Sequence, residues 1–137
     1  MEIMPEMSMK GVYYSQIALT AFFAILFVQS GLDKLINFRE NLSFLVSHFS
    51  KTFFSGMVPV LLIVITCTEV GAGLTSAYGL LELLLHGNHK VAFYGAVLAS
   101  TSLVFLFLGQ RIARDYSGAA GLVHYFVASV LAMLLCS

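Results

Sequence analysis

The chain has 137 residues, 59% of them hydrophobic and 10% charged, and its seven basic residues balance seven acidic ones. Soluble domains carry about 45–50% apolar and about 25% charged residues, and a soluble domain of this size buries only roughly two thirds of its surface. With a mean hydropathy of +0.92, the composition excludes an ordinary soluble domain and a disordered chain, and it calls for hydrocarbon as solvent. A zero net charge without a basic block argues against nucleic acid as a partner.

In chain order, residues 1–11 read as a tail and residues 12–32 as a first membrane span, retained rather than cleaved as a signal peptide because the apolar stretch is long. The segment that follows is too long and too apolar for a bare loop. Phe38, Leu42, Leu45, Phe49 and Phe53 recur at helical steps, which predicts a short amphipathic helix over 38–54 lying in the interface. Asn37 followed by Glu40 resembles a capping box, and Pro59 suits the first turn of a second span over 57–81. His86, Gly87, Asn88 and His89 form a turn signal before a third span over 91–108; a short polar connection from Gly109 to Ser117 then leads to a fourth over 118–135. Backbone groups in lipid must bond internally. The expected fold is therefore all-α: a polytopic membrane four-helix bundle in a single domain over 12–137, with a short interfacial helix between helices 1 and 2. The lipid bilayer is its solvent partner. Lys34, Arg39, Lys51, Arg111 and Arg114 fall on one side, against Lys10 and Lys90 on the other. The positive-inside rule places the richer side in the cytoplasm and both termini outside.

Glu69 is the most informative residue. A carboxylate near the middle of a span is costly and should face the bundle interior. Thr66, Glu69, Gly73 and Ser76 share one face, mostly small, where helices approach closely. Two readings stay open for Glu69, a structural carboxylate that locks packing and a proton or ligand site. Gln29, Asp33 and Lys34 form a second constellation at the end of the first span, competing with an interfacial pair whose lysine reaches the headgroups. Gln110, Arg111 and Asp115 form the third, in which Arg111 and Asp115, four apart, could pair on a helical extension; the plain alternative is a solvated loop. Together, Lys34, Glu69 and this loop outline a polar pocket expected to open to the cytoplasmic face. Gly31, Gly73, Gly95, Gly118 and Gly121 are the helix-packing candidates.

No metal site is assigned: Glu82, His86 and His89 read as an ordinary exposed turn. His124 reads as a packed or hydrogen-bonded histidine. Cys67 reads as buried and unreactive, and too far in depth from Cys136 for a disulfide. Nothing assigns a nucleophile with a paired base, so no catalytic residue is expected.

At these residues the chain resembles the DoxX family of small four-helix membrane proteins. Ser30-Gly31-Leu32-Asp33-Lys34-Leu35 is similar to the family's Gly-x-x-Lys-Leu at the end of helix one. Glu69-Val70-Gly71-Ala72-Gly73-Leu74, with Tyr78-Gly79-Leu80, resembles its acidic, glycine-rich second helix, and Gly109 through Ala120 resembles the connection in bacterial members. The resemblance implies a polar-core signature at Gly31, Lys34, Glu69 and Gly73. It also implies an inner-membrane, non-catalytic subunit of a respiratory or sulfur/thiol–quinone redox complex, since the family is named after a membrane subunit of an archaeal thiosulfate–quinone oxidoreductase. Partner subunits would carry the electron transfer, a homo-oligomer is compatible, and no covalent cofactor is expected, with quinone the candidate ligand. A small proton-coupled transporter using Glu69 and a membrane assembly or chaperone factor are the alternatives.

Overall fold

The computed structural model describes the backbone from Pro5 to Ser137 and the side chains from Met9. Among the described residues five helices follow one another: α1 Pro5–Ile36, α2 Phe38–His48, α3 Val58–His86, α4 Lys90–Ile112 and α5 Tyr116–Cys136. Four of them are long and apolar enough to cross a membrane. They pack as a bundle in which α1 lies against α3, α3 against α4, α4 against α5, and α5 closes back on α1, with α2 capping one end beside α1 and α3.

The spans run past their expected bounds, because polar residues outside the hydrocarbon can still continue a helix. The expected tail over 1–11 is helical from Pro5 onward, a residue suited to a first turn; residues 1–4 lie outside the described residues. At 32 residues, α1 is about 48 Å long and overhangs a hydrocarbon core of about 30 Å. The second span extends to His86, where Gly87 takes a left-handed φ of 65° and its N–H bonds the Leu83 carbonyl. Pro59 sits in the first turn of α3 as expected.

The interfacial helix is shorter than the expected 38–54. It ends at His48, after which the Ser50 and Thr52 hydroxyls donate to the carbonyls of Ser47 and Phe49 and hold a series of turns. Phe53, assigned to the helical stripe, is consequently 76% exposed, and Phe54 rather than Phe53 approaches Phe49. Asn37 does not build a capping box: its side-chain amide donates to Asp33 Oδ1 at 2.8 Å, a charged acceptor on the preceding turn.

Glycines set the height of each helix against its neighbour. A Cβ on Gly73 would lie 2.7 Å from the Val28 nitrogen, and one on Gly31 would lie 2.8 Å from Val70 Cγ2, so α1 and α3 are antiparallel and in near backbone contact. A Cβ on Gly79 would lie 2.6 Å from the Ala92 nitrogen, and one on Gly95 would lie 2.7 Å from Ser76 Oγ, which fixes α3 against α4 in the same way. The core between them is Phe23, Phe27, Ala72, Ala96, Ala99, Leu103 and Ala132. Outside it, Ile25, Val60, Leu74 and Val127 are each more than half exposed. Such a surface is expected where the solvent is hydrocarbon.

Two packing glycines are corrected. Gly121 is exposed, and a Cβ there would have nothing within 4 Å. A Cβ on Gly118 would meet the carboxylate of Asp115, whose Oδ1 accepts the Gly118 N–H, so this glycine accommodates a helix cap and not a second helix.

Candidate functional site

Thr66, Glu69, Gly73 and Ser76 are all buried on one face of α3. The antiparallel register set by Gly31 and Gly73 brings the last turns of α1 beside Glu69. Lys34 Nζ donates to Glu69 Oε2 at 3.0 Å and to Ser30 Oγ at 3.0 Å, and Ser30 Oγ donates to the same carboxylate oxygen at 2.5 Å. Glu69 is 1% exposed and Lys34 17%. The carboxylate is thus neutralised and hydrogen-bonded inside the bundle, which lowers the cost of holding it there. An ammonium has three donors, so Lys34 retains one beyond these two bonds.

The same logic of register extends to α4. Gly79 faces Ala92 and Ser76 faces Gly95, and two further turns toward the α2 end bring Ser102 to the level of Glu69. Ser102 is fully buried, and its hydroxyl has no partner among the described residues. The Glu69 level is therefore lined by groups from three helices.

Directly toward α2 lies a cavity of about 460 Å³, lined by residues including Lys34, Asn41, Phe44, His48, Phe54, Leu61 and Gln110. Its walls are mainly apolar. The lining side chains that are also exposed are Phe44 on α2, Val64 on α3, and Phe105 and Leu108 on α4, so the cavity's outer edge is apolar. Gln110 lines the cavity, and its Oε1 is buried with no hydrogen-bond partner among the described residues, an acceptor whose burial those residues do not offset. A mixed apolar wall with a few convergent polar groups, at a volume within about 300–1,000 Å³, is the usual character of a small-molecule site.

The structure brings Lys34, Glu69 and Gln110 to this end of the bundle and separates the other candidates from it. Gln29 and Asp33 are exposed on α1; Asp33 accepts hydrogen bonds from Asn37 and Asn41 and so ties α1 to α2. The expected Arg111–Asp115 pair does not form. The helix ends at Ile112 and Arg114 takes a left-handed φ of 62°, so the two are no longer on one helical face. Arg111 instead lies over the Tyr116 ring at 4.5 Å. Asp115 caps α5 and stands 3.8 Å from His48 Nε2, which connects the end of α2 to the start of α5.

Three further expectations are corrected or extended. Cys67 is exposed, because it sits one residue off the Thr66–Glu69 face. His124 is exposed and makes no hydrogen bond among the described residues. His89 Nδ1 is 2.6 Å from the Cys136 carbonyl, which joins the α3–α4 turn to the end of α5. The sequence carried no clear sign of the roles of Ser30, Asn41 and His48. A four-residue spacing between Ser30 and Lys34 was the one available hint for the first.

Comparison of the chain with protein-family models, with curated proteins and with solved structures gives no match. What stands on the fold alone is a multi-pass integral membrane protein: four apolar helices, bundled, in contact with a lipid bilayer.

Proposed function

We propose that the chain is a DoxX-like, non-catalytic membrane subunit of a respiratory or sulfur/thiol–quinone redox complex, and that the cavity beneath α2 receives a lipid-soluble ligand of the quinone class from the bilayer. The observation that carries this reading is the cavity itself, with exposed apolar side chains of α2, α3 and α4 at its edge and Lys34 and Gln110 in its lining. A ring carbonyl would accept from the remaining Lys34 donor, and a ring hydroxyl in the reduced form would donate to Gln110 Oε1 once that side chain turns toward the cavity. Glu69 positions Lys34 and balances its charge, so the site favours a neutral head over an anionic one. The α2 side, with Lys34, Arg39, Lys51, Arg111 and Arg114, faces the cytoplasm of an inner membrane in this reading, with both termini outside.

A proton-coupled carrier would need the carboxylate to alternate between partners, and Glu69 is already committed to Lys34 and Ser30. An assembly factor would use the same ion pair for folding alone. Binding distinguishes these. Titration of ubiquinone-1 and menaquinone-1 into the protein in lipid nanodiscs, followed by calorimetry, should give saturable binding that Gln110→Leu and Lys34→Met each weaken. Absence of saturable binding by the unaltered protein would refute the ligand assignment. Mass spectrometry after gentle extraction tests the subunit assignment; recovery of the chain without redox proteins counts against it.

A further inference from the structure

Gln29 and His124 are exposed within two membrane spans, and neither side chain makes a hydrogen bond among the described residues. The treatment of the other glutamine on α1 shows what this fold otherwise does with an amide: Gln16 is buried and donates to the Leu135 carbonyl at 2.7 Å. An amide and an imidazole left against acyl chains are costly, and helices in lipid satisfy such groups across helix–helix contacts.

The two residues flank one outer groove. Phe22 of α1 stacks on Tyr125 of α5 at 5.9 Å. Gln29 lies two turns along the same stripe of α1 as Phe22, and His124 is the neighbour of Tyr125. Between them Gly121 leaves open space on α5. Their depths agree as well. Gln29 is seven residues from the end of α1 at Ile36, and His124 is eight from the start of α5 at Tyr116. At about 1.5 Å per residue these are about 10 and 12 Å below the α2 side. Since α5 has 21 residues, about 31 Å, both levels lie inside the hydrocarbon.

We infer that the α1–α5 groove is the interface of a homodimer, in which Gln29 of each copy hydrogen-bonds His124 of the other. A second copy is the occupant that the geometry favours. Rotation about the membrane normal preserves depth, so two groups at equal depth on one face meet each other's counterparts twice across a two-fold axis. Each has both a donor and an acceptor, and Gly121 lets the facing helices approach closely.

The test is dimerisation in liposomes at decreasing protein-to-lipid ratio, read by subunit photobleaching. The unaltered protein should give two-step bleaching at high ratio. Gln29→Leu combined with His124→Leu should weaken dimerisation by about tenfold or more, whereas His124→Gln, which keeps a donor and an acceptor, should retain it. A second measurement does not depend on those substitutions. With Cys67 and Cys136 replaced by Ser, Gly121→Cys should cross-link between copies and Leu74→Cys, on the exposed face of α3, should not. A protein that stays monomeric at every ratio, an unweakened double-leucine variant, or cross-linking through residue 74 in place of 121 would each overturn the assignment. These outcomes are independent of quinone binding.

Discussion

Replacing Lys34 by Met removes a cation while keeping most of its aliphatic stem, and so isolates the charge. At 3.0 Å and an effective dielectric of about 20, the attraction to Glu69 is about 5.5 kcal/mol. Desolvation of both groups offsets part of this. Removing one partner still leaves a carboxylate that is 1% exposed held only by Ser30, and such breaks cost about 3–5 kcal/mol. Lys34 is 17% exposed, so the lower end, about 3 kcal/mol, applies. The reciprocal change is milder. In Glu69→Gln the amide oxygen still accepts from Ser30, and the lysine head, in the last turn of α1, can withdraw toward headgroup water; the expected loss is about 1–2 kcal/mol. Lys34→Met with Glu69→Leu should recover most of the loss, within about 1 kcal/mol of the unaltered protein. The assay is unfolding by sodium dodecyl sulfate from mixed micelles, followed by helical circular dichroism. If Lys34→Met unfolds within about 1 kcal/mol of the unaltered protein, or the double variant shows no coupling, the ion pair does not hold α1 to α3 and the reasoning fails.

Gly79→Ala should destabilise by about 1–3 kcal/mol because the new Cβ meets the Ala92 backbone at 2.6 Å. Gly11→Ala, with nothing within 4 Å, should instead stabilise by up to about 1 kcal/mol, and the same detergent titration measures both. Ser102→Ala removes a buried hydroxyl without a partner among the described residues, so it should leave stability unchanged or raise it by about 1 kcal/mol; a loss of that size would show that the hydroxyl is satisfied in the membrane. Asp115→Ala should cost about 0.5–2 kcal/mol through the lost cap on α5, and Asp115→Asn should recover most of it.

Hydropathy and periodicity made the four spans and the interfacial helix legible, because each burial pattern repeats along a single element. The Thr66–Ser76 face of α3 was legible for the same reason. Partners across helices were not. Ser30 meets Glu69 only because Gly31 and Gly73 set the height of α1 against α3, and no local spacing encodes that height. Glycine is ambiguous for a related reason: Gly79 is a close-contact residue, Gly118 makes room for a cap and Gly121 faces open space. The end of α2 was misplaced because Phe53 continues the apolar stripe while hydroxyls at Ser50 and Thr52 bond back to the main chain. A pocket near Lys34 and Gln110 was legible from their polar character, but the mainly apolar walls supplied by α2, α3 and α4 were not, being a space between elements and not a property of any one of them.

The contrast between α2 and α3 bears on how the molecule can move. Sliding α3 by even part of a turn would drive side chains of α1 and α4 into Gly73 and Gly79, so that helix is locked along its axis. No residue of α2 is buried, and its attachments are at its ends, through Asp33 at the start and through Phe49 against Gly109 at the finish. The compartment beneath it therefore has a soft roof on a hard floor: its volume can breathe by tilting α2 while the transmembrane scaffold stays at rest.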